Sequence, residues 1–172
     1  MPRSAAPFLS KTTVGFFPTS PASVVSGTAT PDVVASGNYG MSLAASATVK
    51  MAFPLKGMGQ VEAEQLPPYE QYNAPLSVTL YQNELTVYYT VAGEVLTSGT
   101  IAIYATSYTA AGATVTTLLA AVNLTTAIGT YALQISLSNL PAVPVPNSLV
   151  VAELDIATGA TGTAVVHGIA VS

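Results

Sequence analysis

Residues 76–91 read LSVTLYQNELTVYYTV, and their alternation decides the fold class. Leu76, Val78 and Leu80 take turns with Ser77, Thr79 and Tyr81. Beyond the polar Gln82-Asn83-Glu84, Leu85, Val87, Tyr89 and Val91 take turns with Thr86, Tyr88 and Thr90. Successive side chains of a strand point to opposite faces, so a period of two means strands with one face in a core and one outside. The two runs are predicted to pair as a hairpin, without the Gly after Asn83 that a tight type I′ turn prefers.

Towards the C-terminus the same grammar repeats. Strands are predicted over 100–107, 113–120, 130–137, 148–156 and 163–171. They are separated by Ala92-Gly93, Ala111-Gly112, Ile128-Gly129, a loop holding Pro141, Pro144 and Pro146, and a turn holding Gly159 and Gly162. Thr and the β-branched residues that dominate here favour strands through their restricted χ1. The one helical candidate is 117–123, whose Ala and Leu content equally suits the end of a strand.

Towards the N-terminus, Leu43, Ala45, Ala47, Val49, Met51 and Phe53 alternate with small or polar residues and predict a single strand over 43–53. Pro54 ends it. Gly57-Met58-Gly59 turns the chain into a shorter alternating piece around Val61 and Ala63, and Pro67, Pro68 and Pro75 give the connection that follows polyproline character. The segment before residue 43 is rich in Pro, Ser, Thr, Ala and Gly, which keeps it out of a central strand along its length. It nevertheless holds Phe8, Phe16 and Phe17, three of the chain's 4 phenylalanines, and so is expected to dock on something. The predicted organisation is an extended arm over 1–42, a strand pair and Pro-rich linker over 43–75, and a body over 76–172. The fold class is all-β, a β-sandwich or jelly-roll-like body behind an N-terminal arm.

Composition narrows the function. Charged residues make up 7% of the 172, against about 25% in an ordinary domain. All four bases, Arg3, Lys11, Lys50 and Lys56, precede Gly57, whereas seven of the eight acids follow it. A body without Lys or Arg does not neutralise phosphates, which argues against nucleic acid. No apolar run reaches about 18 residues, so no membrane-spanning helix is expected. The N-terminus lacks the apolar core of a secretory signal, and the protein is expected to stay where it is made. With no cysteine there is no disulfide framework and no thiolate chemistry. A surface of Ser, Thr, Ala, Gly and Val suits assembly.

Three groups of residues are candidates for chemistry. His167, the single histidine, becomes a general base only with an orienting carboxylate, for which the same-face pair Glu153 and Asp155 is the candidate. Against that stands a strand-end or interface histidine. The pairs Glu62/Glu64 and Glu153/Asp155 have the spacing of two carboxylates on one strand face, as glycoside hydrolysis or a Ca²⁺ site needs. With no Trp and no Asp-rich loop they read instead as solvent-facing groups or partners for the basic arm. The tyrosines offer a stacking platform for a carbohydrate, or a mixture of core and interface positions. No phosphate-binding or dinucleotide fingerprint is present, and no cofactor or metal is expected.

A proline-rich arm carrying aromatics, ahead of a Cys-free and charge-poor β body, resembles the layout of tailed-bacteriophage capsid cement, or decoration, proteins. In those an extended N-terminal segment lies on the shell and a small β-sandwich or jelly-roll body commonly trimerises above it. The resemblance implies a non-enzymatic structural role and the major capsid protein as partner. It also implies a homotrimer, and a place on the outer capsid surface after synthesis in the host cytoplasm. On that reading Phe8, Phe16, Phe17, Val24 and Val25 anchor the arm, and Lys11 and Arg3 meet acidic shell surface. Two other expectations compete with it: a fibre-tip or adhesin-like β-sandwich module that recognises carbohydrate, and a small hydrolase using His167.

Overall fold

The computed structural model describes residues 15–18, 21–32, 40–55, 84–108, 112–137 and 148–171. In chain order the strands are β1 (Gly15–Pro18), β2 (Val24–Ser26), β3 (Thr30–Asp32), β4 (Gly40–Leu43), β5 (Thr48–Pro54) and β6 (Glu84–Ala92). They continue as β7 (Leu96–Tyr108), β8 (Thr114–Asn123), β9 (Gly129–Ser136), β10 (Ser148–Thr158) and β11 (Thr163–Val171). A single 3-10 turn, Pro21–Ser23, precedes β2.

Two antiparallel sheets result. The first runs β3-β4-β11-β6-β9, with β1 also on β11; the second runs β2-β5-β10-β7-β8. The pairs β4 with β11, β5 with β10, β6 with β9 and β7 with β8 are the rungs of one long hairpin, folded over so that its strands fall alternately into two layers. That is the connectivity of a jelly roll. The all-β sandwich expected from the alternating runs is therefore what the chain forms.

Between the layers lie Met41, Leu43, Val49, Met51, Phe53, Leu85, Val87, Tyr89, Ile101, Ile103, Leu154, Ile156, Val166 and Ile169, all essentially inaccessible. All but Ile169, which the bulge at His167 brings inside, sit on the apolar phase of their strand's alternation, which is why the predicted strands beyond residue 84 match the observed ones closely. Tyr89, the largest of them, stacks on Tyr131 at 5.2 Å between ring centroids. Its hydroxyl donates to the Thr125 carbonyl at 3.0 Å, satisfying the polar end of a buried ring.

Two expectations are corrected. The single strand over 43–53 is two strands in different sheets, because the chain turns a corner at 44–47. There Ser46 adopts φ 56°, a left-handed conformation that is uncommon outside glycine. Its N–H is held by the Gly159 carbonyl at 2.8 Å. The buried Thr158 hydroxyl donates to the Ala44 carbonyl at 2.7 Å and accepts from the Ala47 N–H at 2.9 Å. Small residues at 44–47 leave the backbone free to make this bend. Second, β6 has no free side for a hairpin with 76–81, since β11 and β9 occupy both its edges; residues 76–81 themselves lie outside the described residues. The segment 117–123, which suited either a helix or the end of a strand, is the latter, forming the last seven residues of β8.

Strands β1, β2 and β3, drawn from the segment before residue 43, pair within the chain: β1 on β11, β2 on β5 and β3 on β4.

Candidate functional site

The outer face of the second sheet is defined strand by strand from its register. On β5, Val49, Met51 and Phe53 point into the core, leaving Lys50, Ala52 and Pro54 outside. On β10, Val150, Ala152, Leu154 and Ile156 are buried, leaving Val151, Glu153 and Asp155 outside. On β7, Ile101, Ile103 and Ala105 are buried, leaving Thr100, Ala102 and Tyr104.

The ladders place these residues in rows running across the strands. Ala52, Glu153, Ala102 and Ala121 form one row. On one side of it lie Lys50, Asp155, Thr100 and Asn123; on the other lie Pro54, Val151, Tyr104 and Leu118. Ala52, Ala102 and Ala121, with Glu153 between the first two, are small beside the rows on either side and make a shallow trough. With strands about 4.8 Å apart, it runs about 14 Å from β5 to β8. One wall is polar and hydrogen-bonding, the other apolar and aromatic, and a single carboxylate stands in the floor.

That carboxylate is oriented. Lys50 Nζ donates to Glu153 Oε1 at 2.8 Å and lies 3.9 Å from Asp155 Oδ2. The side chains of Lys50, Glu153 and Asp155 keep 36%, 27% and 44% of their surface exposed, so the cluster stays accessible to a ligand. The Glu153 hydrogen bond, then the charge of the same carboxylate, hold the Lys50 ammonium above the ordinary lysine value, with smaller contributions from Asp155 and Tyr104. It is a permanent cation at neutral pH. One ammonium against two carboxylates leaves the trough with a small net negative charge.

His167 lies elsewhere. It belongs to β11 in the first sheet, whereas Glu153 and Asp155 belong to β10 in the second, so the core separates them. The pairing of His167 with a carboxylate is thereby corrected: alternation alone does not say which layer a strand joins. His167 sits at a bulge in the β11–β6 ladder between Val166 and Gly168. Its Nε2 is 3.1 Å from Thr90 Oγ1, which is in turn 3.1 Å from Thr130 Oγ1. No group of three or more metal-ligating side chains occurs among the described residues. Glu62 and Glu64 lie outside them.

Of the arm residues, Phe8 and Lys11 lie outside the described residues. Phe16 and Phe17 are placed by their backbone opposite Ala170 and Ile169. Val24 packs against the core, and Val25 is exposed. The tyrosine platform offered by the sequence singles out no ring. Tyr104 stood in a correctly predicted strand, and what singles it out is its row neighbours, which only the register of four strands supplies.

No protein-family model matches the sequence, and no curated protein matches it. Among solved structures, the chain is similar to a family 16 carbohydrate-binding module, with 13% identity, a TM-score of 0.44 and coverage of 88% of this chain and 86% of that one. It is also similar to a family 11 carbohydrate-binding module from Clostridium thermocellum in complex with a β-1,3-1,4-mixed-linked tetrasaccharide. There the identity is 11%, the TM-score 0.39 and the coverage 91% and 86%. A third similarity is to a domain of tailspike protein 4 of bacteriophage CBA120, at 10% identity and a TM-score of 0.40, spanning 91% of this chain and 18% of that one. Likenesses this loose carry over neither a ligand nor a site residue.

Proposed function

We propose that this protein is a non-catalytic β-sandwich binding module whose trough on the second sheet takes a neutral carbohydrate chain. The observation that carries the reading is the trough itself, an alanine floor with Tyr104 on one wall and Asp155, Thr100 and Asn123 on the other. A pyranose ring is amphipathic: its axial C–H face stacks on an aromatic ring, and its hydroxyls both donate and accept hydrogen bonds. Glu153, Asp155 and Asn123 supply acceptors, and Asn123, Thr100 and Lys50 supply donors. The small net negative charge favours neutral sugars over uronic or sialic acids.

The role at a virion shell finds little in the described residues to support it. Phe8 and Lys11 fall outside them, the backbone of Phe16 and Phe17 is paired within the chain, and Val24 serves the protein's own core. Val25 presents its side chain outward.

The test is affinity electrophoresis of the full chain in gels containing a neutral β-glucan, a galactomannan or amylose, beside gels containing an acidic polysaccharide. Retardation in at least one neutral gel, and none in the acidic one, is the expected result. Unretarded migration in every gel would remove the proposal.

A further inference from the structure

Strand β8 forms one edge of the second sheet: among the described residues it pairs only with β7. Edge strands ordinarily carry a charge, a proline or a covering segment to prevent pairing with another chain. β8, reading TVTTLLAAVN, has neither charge nor proline, and residues 95–152 around it contain no charged side chain at all. Residues 114–118 are exposed, with Val115 at 57% and Leu118 at 53%.

What identifies the occupant is the internal symmetry of the strand. Read from its middle, Leu118 answers Leu119, Thr117 answers Ala120, Thr116 answers Ala121, and Val115 answers Val122. In an unbroken strand, residues matched this way would point to opposite faces. The β7–β8 ladder, however, shifts register between Ile103 and Tyr104, making Leu119 the extra residue of a bulge. Before the bulge Val115 and Thr117 stand opposite Ser107 and Ala105. After it Ala120 and Val122 stand opposite Ile103 and Ile101. All four lie on the core side of the sheet, while Thr116 and Ala121 both lie on the outer side. The bulge therefore makes the strand complementary to itself: an antiparallel copy places valine against valine on the core side and Thr116 against Ala121 on the outer side.

We infer that two copies of this chain associate through β8, antiparallel about a two-fold axis between Leu118 and Leu119, joining their second sheets into one continuous sheet. Ten facing residue pairs provide about ten main-chain hydrogen bonds, the number a stable interface typically carries. No charge is desolvated in forming it. The axis is perpendicular to the sheet, so both outer faces end up on the same side of the pair. This inference rests on the edge strand and holds whether or not the trough binds sugar.

The experiment is sedimentation of the full chain from about 1 to about 100 µM, repeated for Leu118→Lys, Leu118→Glu and an equal mixture of the two. The wild type is expected to sediment as a dimer, each variant alone as a monomer, and the mixture as a dimer again. A wild-type monomer throughout, a trimer, a dimer indifferent to Leu118→Lys, or a mixture that stays monomeric would each overturn the inference. If the charged variants do not fold, Thr116→Cys/Ala121→Cys decides. In a chain with no other cysteine, a covalent dimer on mild oxidation upholds the register and a monomer refutes it.

Discussion

At the scale of single residues, the chain uses its few charges where they fix geometry. Lys50 is tied to Glu153, and Glu94 is tied to the turn between β10 and β11, accepting from the Thr161 N–H at 2.9 Å and the Thr161 hydroxyl at 3.0 Å. These bonds, the backbone one foremost, hold the Glu94 carboxyl below the ordinary glutamate value. A carboxylate whose folded pKa is depressed stabilises the protein above its unfolded pKa of about 4.3, and that stabilisation is lost as pH falls through the lower folded value. Thermal melts of Glu94→Gln should therefore fall below wild type at neutral pH, with the gap closing as the pH drops beneath about 4. A gap that persists unchanged to low pH would show that the carboxylate charge is not the source. In the trough, Tyr104→Ala is expected to weaken sugar binding up to about tenfold, the worth of one stacked ring, while leaving the melting temperature nearly unchanged because the ring is on an outer face.

At the scale of elements, most strands were legible because their burial is one-sided: a side chain every second residue must be apolar, and β6, β9 and β10 follow that rule, whereas β11 changes phase at its bulge by His167. What was not legible was pairing. Residues 43–53 obey a single period of two, yet the chain turns a corner inside it, and the cause is a distant one. Thr158, more than 100 positions away, holds Ala44 and Ala47 through its buried hydroxyl. No local pattern encodes that contact. Replacing Thr158 by Val keeps the shape but takes the hydroxyl partner from the Ala44 carbonyl and the Ala47 N–H, and should cost about 0.5–1.5 kcal/mol in a denaturant titration. A loss of only a few tenths would mean the corner is held by the chain's small residues alone. The trough was hidden for the same reason. Ala52, Ala102, Ala121 and Glu153 come from four strands, and only their registers put them in a line.

At the scale of the whole molecule, the segment before residue 43 contributes to both layers, since β1 and β3 join the first sheet and β2 joins the second. A chain lacking residues 1–32 should thus melt below the full chain, measured by circular dichroism; an unchanged melting temperature would show that these strands contribute nothing to the sandwich. The low charge content, read from the sequence as a sign of assembly, takes a specific form here as the charge-free edge at β8. The two outer faces also differ in kind: the second sheet carries the alanine trough, and the first carries the hydroxyl line from Thr130 through Thr90 to His167. The claim that the second sheet is the binding face is tested most directly by titrating a retarding neutral polysaccharide into wild type, Tyr104→Ala and His167→Ala by calorimetry. The Tyr104 variant is expected to lose affinity and the His167 variant to keep it. Binding lost with His167 and retained without Tyr104 would place the ligand on the opposite face and contradict it.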